Sequence, residues 1–189
     1  EGAENYIIGG EESFGLMIGD QIRDKDGVSA VALLCEMAAV EKAKGRSLYQ
    51  KMIDLYVQYG LYKEKLISLT KKGMDGQEQI RAMMDGYRKS PPATIHGVEV
   101  VRINDYQSGI ARDLRNGSEQ AILLPSSNVL IFELADGSQI AARPSGTEPK
   151  IKFYFSVHAP LPDAAQYDQV DARLEQHIMG IINDMKLKG

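Results

Sequence analysis

The sequence predicts a mixed architecture, with an α/β segment at the front and an α+β layer domain behind it. Three observations carry this. A short strand-like run near the start is followed by a strongly apolar helical run. Four strand-like runs crowd between residues 98 and 157. Amphipathic helical patterns stand on either side of those strands.

The front segment begins with Tyr6-Ile7-Ile8, an apolar run that reads as a strand. Gly27 to Lys44 reads as a helix that Asp26 can cap at its start and Gly45 at its end. Its apolar residues (Val28, Val31, Leu34, Cys35, Ala38) run nearly all round it, which predicts burial. A second helix begins at Ser47, where Gln50 completes a capping box, and stops at Gly60. Leu48, Met52, Leu55, Tyr56 and Tyr59 make its apolar face. Tyr62 to Thr70 is expected to be extended. Lys71-Lys72-Gly73 is expected to mark a boundary between domains at 1–73 and 74–189.

The second domain opens with a helix from Asp75, with Ile80, Met83, Met84 and Tyr87 inward and Ser90-Pro91-Pro92 closing it. Strands are expected at 98–103, 129–134, 138–142 and 151–157. In the last, Ile151, Phe153, Phe155 and Val157 alternate with Lys152, Tyr154 and Ser156. Asp136-Gly137 is a hairpin signal between two of these strands. Asp163 starts a closing helix whose inner face is Tyr167, Val170, Leu174, Ile178, Ile181 and Met185. The plan is a small, mostly antiparallel sheet flanked by two helices. Residues 104–127 form a long polar connection without a readable pattern.

Composition narrows the function classes. The 189 residues are 43% hydrophobic and 25% charged, with a formal net charge of −4, as in ordinary globular proteins of one or two domains. The acidic balance and the lack of a basic, aromatic-studded strand face argue against a nucleic-acid partner. The most apolar run, Val28 to Val40, is broken by Glu36 and is shorter than the roughly 20 residues that span a bilayer. Cys35 is the single cysteine, so no internal disulfide can form. With no signal peptide at the start, a cytoplasmic location is expected. Within Leu33-Leu34-Cys35 the thiol reads as a small buried core residue. His96, His158 and His177 have no ligand spacing. Glu1-Gly2-Ala3 lead almost at once into a strand and a polar loop, an abrupt start that predicts a piece of a longer protein.

Two segments carry chemistry. Arg143-Pro144-Ser145-Gly146-Thr147-Glu148-Pro149 places a guanidinium, two hydroxyls and a glycine in a turn between two expected strands. Arg143 offers planar charge-assisted donors, Ser145 and Thr147 offer hydroxyls, and Gly146 clears the backbone N–H groups for an anion. Far upstream, Gly10-Glu11-Glu12-Ser13-Phe14-Gly15 follows the first strand. Its carboxylates suit a polyhydroxylated ligand, because they accept hydrogen bonds from sugar hydroxyls. Read singly, each segment is also explained by a surface turn or a solvated acidic loop.

Together, in this order, the two segments resemble the α-D-phosphohexomutase family, the phosphoglucomutases and phosphomannomutases. The resemblance runs over nearly the whole chain. It implies the end of a third, sugar-binding α/β domain followed by a fourth, phosphate-binding domain. It also implies that Glu11 and Ser13 contact sugar hydroxyls and that Arg143, Ser145, Gly146 and Thr147 hold the phosphate not being transferred. Lys150 and Lys152 could extend the positive field; Lys152 matches a basic residue that follows this turn in relatives, while a solvated strand face explains Lys150 equally well. Arg23-Asp24-Lys25-Asp26-Gly27 resembles a phosphoglucomutase segment whose lysine enters the active site. A lysine of depressed pKa could shuttle a proton there; equally, Lys25 could simply pair with Asp24 or Asp26 at a helix start. As a metal loop, Asp24-x-Asp26-Gly27 lacks further carboxylates, so a helix cap is the better reading.

The family's phosphoserine loop and its Asp-rich Mg2+ loop have no counterpart in this sequence. The resemblance therefore assigns the serine and the Mg2+ to upstream domains of the same protein. It implies a hexose 1,6-bisphosphate intermediate and an intact enzyme that moves phosphate between hexose positions 1 and 6, while the chain alone is expected to be inactive. A stand-alone phosphosugar-binding module is the other reading.

Overall fold

The computed structural model describes residues 6–11, 14–71, 73 and 75–187. The chain divides into two compact units, residues 1–55 and 56–189.

In the first unit, β1 (Ile8–Gly10) and β2 (Leu16–Ile18) form an antiparallel hairpin with Gly10 opposite Leu16. Helix α1 (Gly27–Ala43) starts where expected. The Asp26 carboxylate accepts from the backbone N–H of Val28 at 3.1 Å and of Ser29 at 3.0 Å, satisfying two donors that a helix start leaves open. Helix α2 (Leu48–Tyr59) keeps its capping box: Ser47 N–H donates to Gln50 Oε1 at 2.8 Å and Gln50 N–H donates to Ser47 Oγ at 3.2 Å.

The expected burial of α1 does not hold. Val28 is 81% exposed and Val31 62%, and Cys35 is exposed as well. The unit supplies a two-stranded hairpin and part of one further helix, too little surface to cover a helix that is apolar all round. The buried residue of α1 is instead Glu41. Lys44 lies 3.0 Å from its carboxylate and Arg46 3.5 Å, and Arg46 also pairs with Asp54 on α2.

The second unit is built on an antiparallel sheet ordered β3-β10-β9-β8-β5-β6-β7. The strands are β3 (Leu61–Thr70), β5 (Val98–Asp105), β6 (Ile110–Asp113), β7 (Glu119–Ala121), β8 (Leu130–Leu134), β9 (Gln139–Pro144) and β10 (Lys150–Ala159). A short β4 (Thr94–Ile95) pairs with β5. Helices α3 (Gly76–Lys89) and α4 (Tyr167–Asp184) pack on the sheet. The alternation read in β10 is observed: Ile151, Phe153, Phe155 and Val157 are at most 1% exposed. Ile140 and Ala142 of β9 meet them, along with Ile80 and Met84 of α3 and Leu174, Ile178 and Ile181 of α4 in the core. The opposite face carries Lys152, Tyr154 and Ser156.

Two features differ from expectation. The sheet is larger, because residues 104–127 contain β6 and β7, which join it through the pairing of β6 with β5 and of β7 with β6, with Arg102 of β5 donating to Gln120 of β7. The expected domain boundary near Gly73 falls after a strand that belongs to this sheet. β3 pairs with β10 from Leu61–Ala159 to Thr70–Lys150, so the compact units part near residue 55 instead.

Candidate functional site

In the second unit, the turn between β9 and β10 is held by its own backbone. Ser145 N–H donates to Lys150 C=O at 2.8 Å and Lys150 N–H to Glu148 C=O at 2.7 Å. Ser145 Oγ accepts from the N–H of Thr147 at 3.4 Å and of Glu148 at 3.3 Å, which leaves its hydroxyl proton pointing elsewhere. Arg143, Pro144, Ser145, Gly146, Glu148, Lys150 and Lys152 line a cleft of about 260 Å³. Lys152 stands directly opposite Arg143 in the strand register, so the two cations share one face.

The electrostatics of the cleft are one-sided. Among the described residues, Arg143, Lys150 and Lys152 have no ion-pair partner, and Glu148 is the one carboxylate in the lining. Three cations against one carboxylate give the cleft a net positive charge that attracts an anion. Gly146 adds a steric argument. A Cβ there would meet no protein atom within 4 Å, and its backbone has no left-handed φ that would call for glycine. The protein itself does not require glycine at 146, and the bare backbone leaves room for another group to approach closely. Thr147 is not part of the cleft lining. A wider groove at the start of α4 is lined by Pro160, Pro162, Gln166 and Arg173 and brings no second cation to bear.

In the first unit, Glu11 begins the loop between β1 and β2, which is closed by Glu11 N–H to Gly15 C=O at 2.8 Å. Lys25 reaches back to this loop: its Nζ lies 3.3 Å from Glu11 Oε1 and 3.1 Å from Asp24 Oδ1. Its stem crosses Gly15 so closely that a Cβ at 15 would come within 2.2 Å of Lys25 Cδ. Gly15 is therefore what allows Lys25 and Glu11 to meet. The Asp24 and Glu11 carboxylates hold the Lys25 ammonium above its ordinary pKa, the reverse of the depression that a proton shuttle would need. Ser13 and Glu12 lie outside the described residues. Asp24 and Asp26 do not suit Mg2+: the first is engaged by Lys25 and the second caps α1.

The chain is similar to known proteins. Residues 2–59 match the family model for phosphoglucomutase/phosphomannomutase, alpha/beta/alpha domain III. A phosphoglucomutase of Staphylococcus haemolyticus is 34% identical over 177 residues, covering 94% of this chain and 31% of that protein. A phosphoglucomutase of Staphylococcus epidermidis is 38% identical over 154 residues, covering 82% of this chain and 28% of that one. The chain belongs to the phosphohexomutase family. It spans about a third of the length of these curated relatives.

A solved structure shares the phosphohexomutase fold. The open form of pp63/parafusin, a phosphoglucomutase from Paramecium, superposes with a TM-score of 0.54 at 20% identity, covering 91% of this chain and 30% of that one. The domain III match ends at residue 59, before β3 begins. Of the residues singled out from the sequence, Arg143, Ser145, Gly146 and Lys152 come together in one cleft, and Glu11 and Lys25 meet in another place. Lys150 joins the first group with equal standing, a contribution that its side-by-side spacing with Lys152 on one strand face would have signalled.

Proposed function

We propose that the chain is the C-terminal part of a phosphohexomutase, comprising the end of domain III to about residue 59 and a fourth domain from β3 onward. The intact enzyme would interconvert hexose 1-phosphate and 6-phosphate through an enzyme phosphoserine. Arg143, Ser145, Gly146 and Lys152, joined by Lys150, hold the phosphate that stays on the sugar, with Thr147 stabilising the turn through its N–H to Ser145. Three cations without an ion-pair partner among the described residues, around a turn whose glycine meets no steric need of the fold, are the observation that carries this reading.

Glu11, with Ser13, would accept hydrogen bonds from sugar hydroxyls. Lys25 is better suited to donate than to take a proton: charged and held between Asp24 and Glu11, it orients the Glu11 carboxylate. The phosphoserine and Mg2+ belong in this reading to upstream domains of the same protein. Mg2+ would supply charge neutralisation during transfer, and among the described residues no three His, Cys, Asp or Glu side chains are grouped to hold it. A clamp of hydroxyls, a backbone turn and cations also suits a bisphosphate that must bind in two orientations, because a phosphate presents the same oxygens from either end.

Titration of the chain with glucose 1-phosphate, followed by amide chemical shifts, tests the clamp. Shifts centred on residues 143–152, shared by inorganic phosphate and missing with free glucose, are expected. A response to free glucose equal to that of the phosphate ester would rule the clamp out. The in-frame sequence upstream of Glu1 tests the enzyme reading: it should encode a serine loop and an Asp-rich loop, and a gene without them would leave a binding module.

A further inference from the structure

The clamp as drawn takes its side chains from β9, β10 and the turn between them, yet the sheet lays a third strand beside it. In the β3–β10 register Ser68 lies directly opposite Lys152, which in turn lies opposite Arg143. The three residues form one row across three strands. Thr70 lies opposite Lys150 in the next row of the same face. The burial pattern identifies that face: Leu69 and Ile151 point into the core, and Ser68 and Thr70 are exposed.

With strands about 4.8 Å apart, Ser68 stands roughly 10 Å from Arg143 at the backbone, with Lys152 between them. That gap suits one phosphate with donors on both flanks: a long guanidinium from one side, an ammonium below and a hydroxyl from the other. Neither Ser68 nor Thr70 has a hydrogen-bond partner for its hydroxyl among the described residues. The end of β3 is also fastened to the turn. Lys71 N–H donates to Pro149 C=O at 2.9 Å, and Gly76 packs so closely that a Cβ there would fall 2.3 Å from Lys71 O and 3.0 Å from Pro149 Cβ. The register of β3 against the clamp is therefore fixed from two sides.

We propose that β3 extends the anion site beyond the lining of the cleft, with Ser68 donating its hydroxyl to a phosphate seated over Lys152 and Thr70 standing beside Lys150. The ligand class is a phosphate monoester or free phosphate, and the proposal rests on the clamp reading above. No local motif announces Ser68, because its place in the site comes from strand pairing over more than 80 residues of sequence.

The test is the affinity of the chain for inorganic phosphate and, separately, for glucose 1-phosphate, read from amide shifts. Ser68→Ala is expected to weaken both by about tenfold, the scale of one hydrogen bond to a charged acceptor. Ser68→Thr, which keeps the hydroxyl, is expected to restore most of the loss. Ser156→Ala, on the same open face but opposite Glu64 and Gln139, is expected to change nothing. Arg143→Ala is expected to remove binding. Parental affinity in Ser68→Ala beside loss in Arg143→Ala would overturn the role of β3 and leave the clamp standing. Equal losses in Ser68→Ala and Ser156→Ala would overturn it too, as a general effect of altering the sheet face. Unchanged binding in Arg143→Ala, or no response of the parent chain to millimolar phosphate, would bring down both readings.

Discussion

Gly146 separates two reasons for a glycine. Where φ is positive or packing is tight, replacing glycine costs stability; at Gly146 neither condition holds. Gly146→Ala should therefore leave the thermal midpoint of the chain unchanged or slightly raised, while weakening phosphate binding by about tenfold. A large drop in thermal midpoint would show that the turn needs glycine for its own fold. Lys25 makes a second residue-level case. Hydrogen bonding to Asp24, then to Glu11, raises its pKa, so the ammonium persists through neutral pH and loses its proton only above the ordinary lysine range. Titration of isotopically labelled lysine side chains should place Lys25 above the exposed lysines of the chain. A value below them would revive the proton shuttle suggested by the Arg23-to-Gly27 segment.

At the scale of elements, what was legible was local. Asp26, Ser47 with Gln50, and the alternation from Ile151 to Val157 announce their structures because capping and pleating act within a few residues. The allegiance of β3 was not legible, since only its pairing with β10, some 80 residues on, shows which domain it joins. β6 and β7 escaped notice because strands of three or four residues, with one or two apolar positions each, are too short to leave a periodic signal. Once paired, β3 is held to α4 by charge: Lys63 lies 2.7 Å from Asp171, and Lys65 pairs with Glu175. Lys65 lowers the Glu175 carboxyl pKa, and Asp171 raises that of Lys63. The Glu175 contribution is then complete above the ordinary carboxylate range and fades as pH falls through its lowered value. The Lys63 contribution is complete below the ordinary lysine range and fades as pH rises through its raised one. Urea unfolding of Glu175→Gln should show a smaller stability loss than the parent on going from neutral pH to about pH 3. The difference will be modest, because Glu175 is partly open to solvent. Identical acid limbs would mean the pair is too well screened to matter.

Over the whole molecule, burial is distributed unequally between the two units. The second has a core of β8, β9, β10 and α4 with Phe132, Phe153, Ile140 and Ile178 at zero exposure, and truncating a phenylalanine in such a core costs about 3–5 kcal/mol. The first has Ile53 and Glu41 as its buried residues among those described, and an apolar helix open to solvent. Local opening free energies follow buried contact, so the units should differ in protection by orders of magnitude. Native-state amide exchange of the chain should find the slowest amides in β9 and β10 and fast exchange throughout α1, despite the good cap at Asp26. A cap satisfies the first turn of a helix, but a helix in a folded protein is kept mainly by the face it buries. If α1 amides exchanged as slowly as those of β10, its apolar face would have to be covered in solution, and self-association of the chain through Val28, Val31 and Leu34 would be the first thing to measure. If they exchanged fast, the upstream domains that the proposed function assigns to the protein should slow them when added, without changing β10, because only the first unit leaves an apolar helix uncovered.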